Sequence, residues 1–168
     1  MIEHCIAKAQ RYGYNNHMAD VYAENRKARF NYELLQTFEA GIELKGFEVK
    51  AVKAGKISLA SSFAVSKGPE LWLINADIAP YQVGNTPPEY DSKRSRRLLL
   101  THEEIKEILT KMESDRLTIV PMKVYNKRGL VKVELALARS KKQYDKRDVI
   151  KKRETDREIR RTLKKTND

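Results

Sequence analysis

The sequence predicts a mainly β fold, a small closed antiparallel barrel with inserted helices and a basic C-terminal tail. Three observations lead to this prediction: apolar and polar residues alternate in several short segments, one amphipathic segment lies between them, and positive charge is concentrated near the C-terminus. The chain has 168 residues, of which 40% are hydrophobic, and this suits one compact domain with a short remainder. We divide the chain into a variable leader at 1–24, a barrel at 25–138 and a tail at 139–168.

The longest predicted strand covers residues 30–44. Its even-numbered positions are mostly apolar and its odd-numbered positions mostly polar, and this period of two indicates a strand that buries one face. Gly41 lies inside the strand and predicts a bulge or a sharp bend, as at the corner of a barrel. The segment that follows, 47–54, predicts a short helical turn that ends at Gly55.

Two further strands are predicted at 62–66 and 71–79. Between them lie a lysine, a glycine and a proline at 67–69, which are typical of a tight turn. In the second strand the even-numbered positions from Trp72 to Ile78 are apolar. We therefore expect these side chains to share one face of the sheet.

The clearest helix of the chain is predicted to begin after Thr101. Thr101 and Glu104 have the spacing of a capping box, and the residues that follow place apolar side chains on one helical stripe. Two more strands are predicted at 117–125 and 130–138, and the turn between them contains Gly129, which can adopt a positive φ. Such elements fit a small closed barrel, of which the oligonucleotide-binding fold is the commonest nucleic-acid-binding example. A split α+β sheet is the alternative.

The charge of the chain predicts a polyanionic partner, and nucleic acid is the first candidate. The sequence contains 34 Lys and Arg against 23 Asp and Glu, a net charge of +11. Of these residues, 13 basic and 6 acidic ones lie in 139–168, so the tail holds most of the excess. The tail has few apolar residues and neither Gly nor Pro, and we expect it to be disordered alone or helical against a polyanion.

The sequence also argues against several classes of function. It contains no run of about 18 apolar residues, so we expect a cytoplasmic protein without membrane contact. Cys5 is the single cysteine, and the three histidines lack metal-ligand spacing, so we expect no disulfide, metal or cofactor. No catalytic motif is present, and we expect a monomer that is not an enzyme.

Five segments of the chain are informative together. They are NRKAR at 25–29, TFEAGIELKGFEVKAVKAGK at 37–56, ELWLINADIAPY at 70–81, RRLLL at 96–100 and KKQYDKRDVIKKR at 141–153. In this order they resemble the family of small protein B, the SsrA-binding protein that partners bacterial transfer-messenger RNA in ribosome rescue. The resemblance implies an oligonucleotide-binding barrel that grips the tRNA-like domain of this RNA and delivers it to stalled ribosomes.

The resemblance further implies RNA contacts at Asn25, Glu39, Leu99 and Lys132. Lys132 suits the neutralisation of a phosphate, while Asn25 and Glu39 suit hydrogen bonds to a base or a 2′-hydroxyl group. Alternation along the strands independently places Glu39 and Lys132 on polar faces. For Leu99, burial beneath the helix and contact with a nucleotide are both open. Without the resemblance, Glu39 would be interpreted as a solvated strand carboxylate.

For the tail, the resemblance implies folding in the vacant mRNA channel of the small ribosomal subunit. Tyr144 matches a position that stacks on a base of the decoding centre, and aromatic stacking is an expected means of binding loop RNA. The expected ribosome contacts are Tyr144, Asp145, Lys146, Arg147, Lys151, Lys152 and Arg153. The alternative function is that of a generic single-strand RNA-binding or ribosomal structural protein, whose basic arm anchors it without specificity.

Overall fold

The structure is a computed structural model that describes residues 20–82, 84, 86–142 and 155. Its elements are, in chain order, β1 Val21–Glu24, α1 Arg26–Asn31, β2 Tyr32–Ile42, α2 Gly46–Lys53, β3 Ile57–Ser58, β4 Phe63–Lys67, β5 Glu70–Ile74, β6 Asp77–Ile78, β7 Arg96–Leu99, α3 His102–Asp115, β8 Thr118–Lys127 and β9 Leu130–Ser140. The predicted mainly β architecture with inserted helices is confirmed.

Within the described residues, six strands close a barrel in the order β8-β4-β5-β7-β2-β9, because β9 pairs back with β8. Every pairing in this ring is antiparallel. β1 adds to the sheet alongside β8, while β3 and β6 form a separate two-stranded sheet. Closure leaves fewer exposed strand edges than an open sheet would. The arrangement agrees with the predicted oligonucleotide-binding type of barrel and not with a split sheet.

The core lies inside the ring and is built from aliphatic side chains of all six strands. Leu73 of β5 and Leu135 of β9 are fully buried, and each contributes about 1.5–3 kcal/mol by its removal from water. Helix α3 packs Ile108 into the same core. The predicted capping box holds its first turn, because Thr101 Oγ1 accepts from Glu104 N at 3.3 Å and Glu104 Oε2 accepts from Thr101 N at 2.9 Å.

Strand β2 has a bulge before Gly41, whereas the sequence predicted a bulge or a sharp bend at Gly41 itself. Leu34 pairs with Ala138 and Gln36 pairs with Leu137, so one extra residue stands between them on β2. A bulge of this kind shifts the later side chains to the other face of the strand. Residues before the bulge pack in a small cluster beside α1, and residues after it pack in the barrel core. The even-numbered positions from 32 to 40 are the less exposed set, as predicted, but they pack into two separate clusters.

The strand predicted to contain both Trp72 and Ile78 is divided in two. Asn75 lies between β5 and β6 in a left-handed conformation, with a φ of 57°. Leu71 and Leu73 are buried in the core, so Trp72 points outward, whereas Ile78 is buried. The expectation of one shared face is wrong because Leu71 and Leu73 on one side of β5 and Trp72 and Ile74 on the other are all apolar, and only the neighbouring strands decide which pair is buried.

The seven-stranded sheet extends past the barrel boundaries expected from the sequence. β1 lies in the range assigned to the leader, yet it pairs with β8. β9 continues to Ser140, two residues into the range assigned to the tail. Helix α1 includes the first two residues of the strand expected at 30–44. Where these strands begin and end depends on pairing with strands that are distant in the sequence. The local alternation of apolar and polar residues does not indicate that pairing.

Candidate nucleic-acid interface

Gly41 is the centre of a surface that we call the outer face, formed by Glu39 and Gly41 of β2, Leu99 of β7 and Lys132 of β9. Gly41 pairs with Leu99 on one side and with Lys132 on the other. The adjacent Leu98 is buried, so the side chain of Leu99 points away from the core and is 49% exposed. Of the two readings that the sequence left open for Leu99, burial beneath the helix is therefore excluded.

Gly41 permits the close approach of β7 to β2 at the outer face. A Cβ atom placed on Gly41 would lie 3.2 Å from Leu99 Cβ and 3.5 Å from Leu99 Cδ1. The Leu99 side chain thus lies over the glycine and occupies the space that a side chain at this position would need. The absence of a side chain at Gly41 leaves room for Leu99 at this position.

Glu39 lies two residues from Gly41 on the same face of β2 and is held by two donors. Tyr125 Oη donates to Glu39 Oε2 at 2.5 Å, and Lys127 Nζ donates to both carboxylate oxygens at 2.7 and 2.9 Å. Partial burial acts to raise the pKa of Glu39, but the hydrogen bonds from Lys127 and Tyr125 outweigh it and hold the pKa below its ordinary value. Glu39 is therefore an ionised acceptor with a fixed orientation.

Lys132 adds a positive charge beside this carboxylate, and its attraction helps to lower the pKa of Glu39. It is partly exposed, and it forms no salt bridge with any residue in the described part of the chain. Glu134 faces Glu39 across the β2–β9 pairing, but Lys123 Nζ lies 2.9 Å from Glu134 Oε2 and neutralises it. The outer face is thus able to attract a phosphate at Lys132.

Asn25, the fourth expected contact, is not on the outer face. It is 5% exposed and caps α1, since its Oδ1 accepts from Ala28 N at 3.1 Å. Its Nδ2 donates to the carbonyl oxygens of Leu59 and Pro121, each at 3.1 Å. The side chain therefore joins α1 to the loop after β3 and to β8, and a cap of this kind contributes about 1 kcal/mol.

A buried ionic cluster fixes the start of β7. Glu48 of α2 and Arg96 of β7 are both fully buried, and Arg96 Nη2 and Nε donate to Glu48 Oε1 at 2.8 and 3.1 Å. Arg94 Nη2 donates to Glu48 Oε2 at 2.5 Å, and Tyr90 Oη donates to Glu48 Oε1 at 3.1 Å. The cluster ties α2 to the segment before β7, and so it supports the strand that carries the outer face.

Electrostatics keep the buried Glu48 ionised. Burial acts to raise its pKa, but hydrogen bonds from Arg94, from the backbone N–H of Lys45 and from Arg96 lower the pKa to about 2. Sequence reasoning missed this cluster because arginine and glutamate are rarely fully buried. Alternation along β7 could have indicated that Arg96 is buried, because Arg96 is two residues from the apolar Leu98 and lies on the same face of the strand.

The seven expected ribosome contacts in the tail lie outside the described residues. They are Tyr144, Asp145, Lys146, Arg147, Lys151, Lys152 and Arg153. In the ranges that the structure describes, no three His, Cys, Asp or Glu side chains are grouped so as to hold a metal ion. Over the same ranges, no helix is both long enough and apolar enough to cross a bilayer.

The closed antiparallel ring and the outer face are features of oligonucleotide-binding-type barrels, so the protein is of that class. The family model described as SmpB protein matches residues 22–165. The chain therefore belongs to the SmpB family, and the resemblance seen in the sequence is confirmed.

Relatives of the chain are similar over most of its length. The SsrA-binding protein of Trichormus variabilis is 46% identical over 144 residues, which cover 86% of this chain and 93% of the relative. That of Synechococcus elongatus is 47% identical over 145 residues, covering 86% and 94%. A solved structure described as "tmRNA-SmpB: a journey to the center of the bacterial ribosome" is 49% identical with a TM-score of 0.60, over 74% of this chain and 87% of that one.

Proposed function

We propose that this protein binds the tRNA-like domain of transfer-messenger RNA and delivers it to stalled ribosomes in trans-translation. The observation that carries the proposal is the outer face, where Glu39, Leu99 and Lys132 lie around Gly41. Family membership supports RNA as the ligand, because relatives are named for binding SsrA and the solved relative is described with tmRNA and the bacterial ribosome. The protein acts in the cytoplasm as a monomer, without a cofactor or catalytic activity of its own.

Each side chain of the outer face has a distinct role in this proposal. Lys132 neutralises a phosphate. Leu99 packs against an unstacked nucleotide, and Glu39 accepts a hydrogen bond from a base edge or from a 2′-hydroxyl group. Asn25 acts indirectly, because its hydrogen bonds hold α1 against β8.

The tail completes the function on the ribosome. In this proposal Tyr144 stacks on a base of the decoding centre, and the residues after it pair with phosphates of ribosomal RNA. Those residues are Asp145, Lys146, Arg147, Lys151, Lys152 and Arg153, of which Asp145 is the acidic exception. The large positive excess of the tail suits the vacant path of a messenger RNA. The barrel thus selects the RNA, and the tail inserts in the mRNA channel.

Charge reversal at Lys132 tests the proposed function. Lys132→Glu is expected to weaken binding to the tRNA-like RNA and to lower the slope of log K against log salt by about 1, because one phosphate contact is lost. Lys106→Glu changes the net charge equally, but on the exposed side of α3, and is the matched control. Equal losses in both variants, or an unchanged slope in Lys132→Glu, would contradict the proposal.

The basic tail favours one other function, generic binding of single-stranded RNA or a structural place in the ribosome. Competition separates the two functions. Excess bulk tRNA displaces a generic binder from labelled tRNA-like RNA, and it leaves a specific complex nearly intact. Full displacement in a filter-binding assay would support the generic function.

A further inference from the structure

The outer surface of the barrel continues from β7 onto β5 and β4. Arg97 pairs with Trp72, and Trp72 pairs with Val65. The residues between these positions, such as Leu98 and Leu73, are buried, so Arg97, Trp72 and Val65 point away from the core. Since Arg97 and Leu99 are alternate residues of one strand, this surface is continuous with the outer face.

Four apolar side chains lie together there, and we call them the aromatic patch: Phe63, Val65, Trp72 and Ile74. Phe63 pairs with Ile74, and two positions along the strands Val65 pairs with Trp72, on the same side of the sheet. Phe63 is 40% exposed, and Trp72 is partly exposed. The inner side of the same two strands already packs in the core through Ala64, Leu71 and Leu73. Large apolar side chains on the outside of such a sheet indicate a binding surface.

Two cations border the aromatic patch. Lys67 Nζ lies 5.2 Å from the centre of the Trp72 ring, and Lys67 forms no salt bridge within the part of the chain that is described. Arg97 is exposed, but its Nη2 lies 2.8 Å from Glu70 Oε1, so its charge is paired and Lys67 is the cation that is available to a phosphate. Proteins bind unpaired nucleotides with this combination, because the aromatic ring stacks on the base and the cation neutralises the phosphate. The positive charge of Lys67 and the aromatic ring of Trp72 together favour RNA over a protein as the partner.

We propose that the aromatic patch is a second RNA subsite, at which an unpaired base of the bound RNA stacks on Trp72. This inference rests on the proposed function and extends it to a nucleotide-stacking position. β9 and β5 are three strand spacings apart, about 14 Å, a distance that a few nucleotides span. One RNA strand can therefore run from Lys132 over Leu99 and Arg97 to Trp72.

Trp72 is the only tryptophan of the chain, so its fluorescence reports on this subsite directly. In the full-length protein, titration with the tRNA-like RNA is expected to quench the emission of Trp72 and to protect it from acrylamide. Trp72→Leu is expected to weaken RNA binding about 5- to 100-fold, while Trp72→Phe retains a ring and most of the affinity. Tyr81→Leu removes a ring that is 41% exposed outside the patch, and it should bind as the wild type does.

The outcomes distinguish the inference from the proposed function. If the wild type does not bind the RNA, the proposed function fails and the subsite fails with it. A second outcome is that the wild type binds the RNA and Lys132→Glu weakens the binding, while the RNA leaves Trp72 emission unchanged and Trp72→Leu binds with wild-type affinity. That outcome would overturn the subsite and leave the proposed function standing. Acrylamide shielding of Trp72 in the free protein would show that another segment of the chain covers the patch. Normal RNA affinity with lost tagging activity in Trp72→Leu would identify a different partner.

Discussion

Gly41 determines how closely β2 and β7 approach at the outer face. Gly41→Ala is expected to displace Leu99, because the added Cβ would lie 3.2 Å from Leu99 Cβ. We expect a loss of about 1 kcal/mol in unfolding free energy, at the low end for overpacking because Leu99 is half-exposed, and weaker RNA binding, measured by urea denaturation and by filter binding. Gly46→Ala is the control, because nothing lies within 4 Å of a Cβ there. Wild-type stability and affinity in Gly41→Ala would contradict the role given to this contact.

Glu48 neutralises two arginines at once. Glu48→Gln is expected to lower the unfolding free energy by about 3–5 kcal/mol at pH 7, because it leaves the fully buried Arg96 without a counter-charge. Glu107→Gln, which changes an exposed pair with Lys111, should remain close to the wild type. Urea denaturation of the three proteins measures the difference. A similar midpoint in Glu48→Gln and Glu107→Gln would show that the cluster does not stabilise the fold.

At the scale of elements, we expect the barrel to bind the RNA and the tail to act on the ribosome. Removal of the chain after Gln143 is expected to leave binding to the tRNA-like RNA nearly intact, because the outer face lies wholly in the barrel. The same variant is expected to lose tagging on stalled ribosomes, since it lacks Tyr144 and the basic residues beyond it. Lys132→Glu in the full chain should instead weaken RNA binding first. Loss of RNA binding in the truncated protein would refute this division.

The elements differ in how well the sequence predicts them. Helix α3 was predictable from Thr101 and Glu104 because its capping box joins residues three positions apart. Strands β1, β3, β6 and β7 contain two to four residues each, too few to show a period. Their formation depends on partners such as Tyr125, which pairs with Val21 from far along the chain.

For the whole molecule, acid is expected to destabilise the fold through its paired carboxylates. The folded pKa of Glu48 is about 2, below the ordinary value of 4.5, so its contribution is complete above pH 4.5 and is lost as the pH falls toward 2. The loss attributable to Glu48 is about 3 kcal/mol. Glu39, whose pKa is also lowered, contributes with the same sign.

Urea denaturation between pH 7 and pH 2.5 measures this dependence. The wild type is expected to lose stability more steeply than Glu48→Gln below pH 4.5, because the variant has no carboxylate to protonate at that position. Glu107→Gln should retain the steep dependence of the wild type. Parallel curves for the wild type and Glu48→Gln would contradict the assignment.

The sequence by itself determined the mainly β class, the capped helix, the excess of charge in the tail and the family, because these depend on local patterns or on composition. Only the tertiary structure decided that Trp72 faces outward, that β2 bulges before Gly41, that Asn25 is buried and that Glu48 meets Arg96. Each of these depends on contacts between residues far apart in the chain; Asn25, for example, contacts Pro121, and Glu48 contacts Arg96 across 48 positions. Closure of the barrel makes those contacts, and no local period encodes which distant strand will lie alongside.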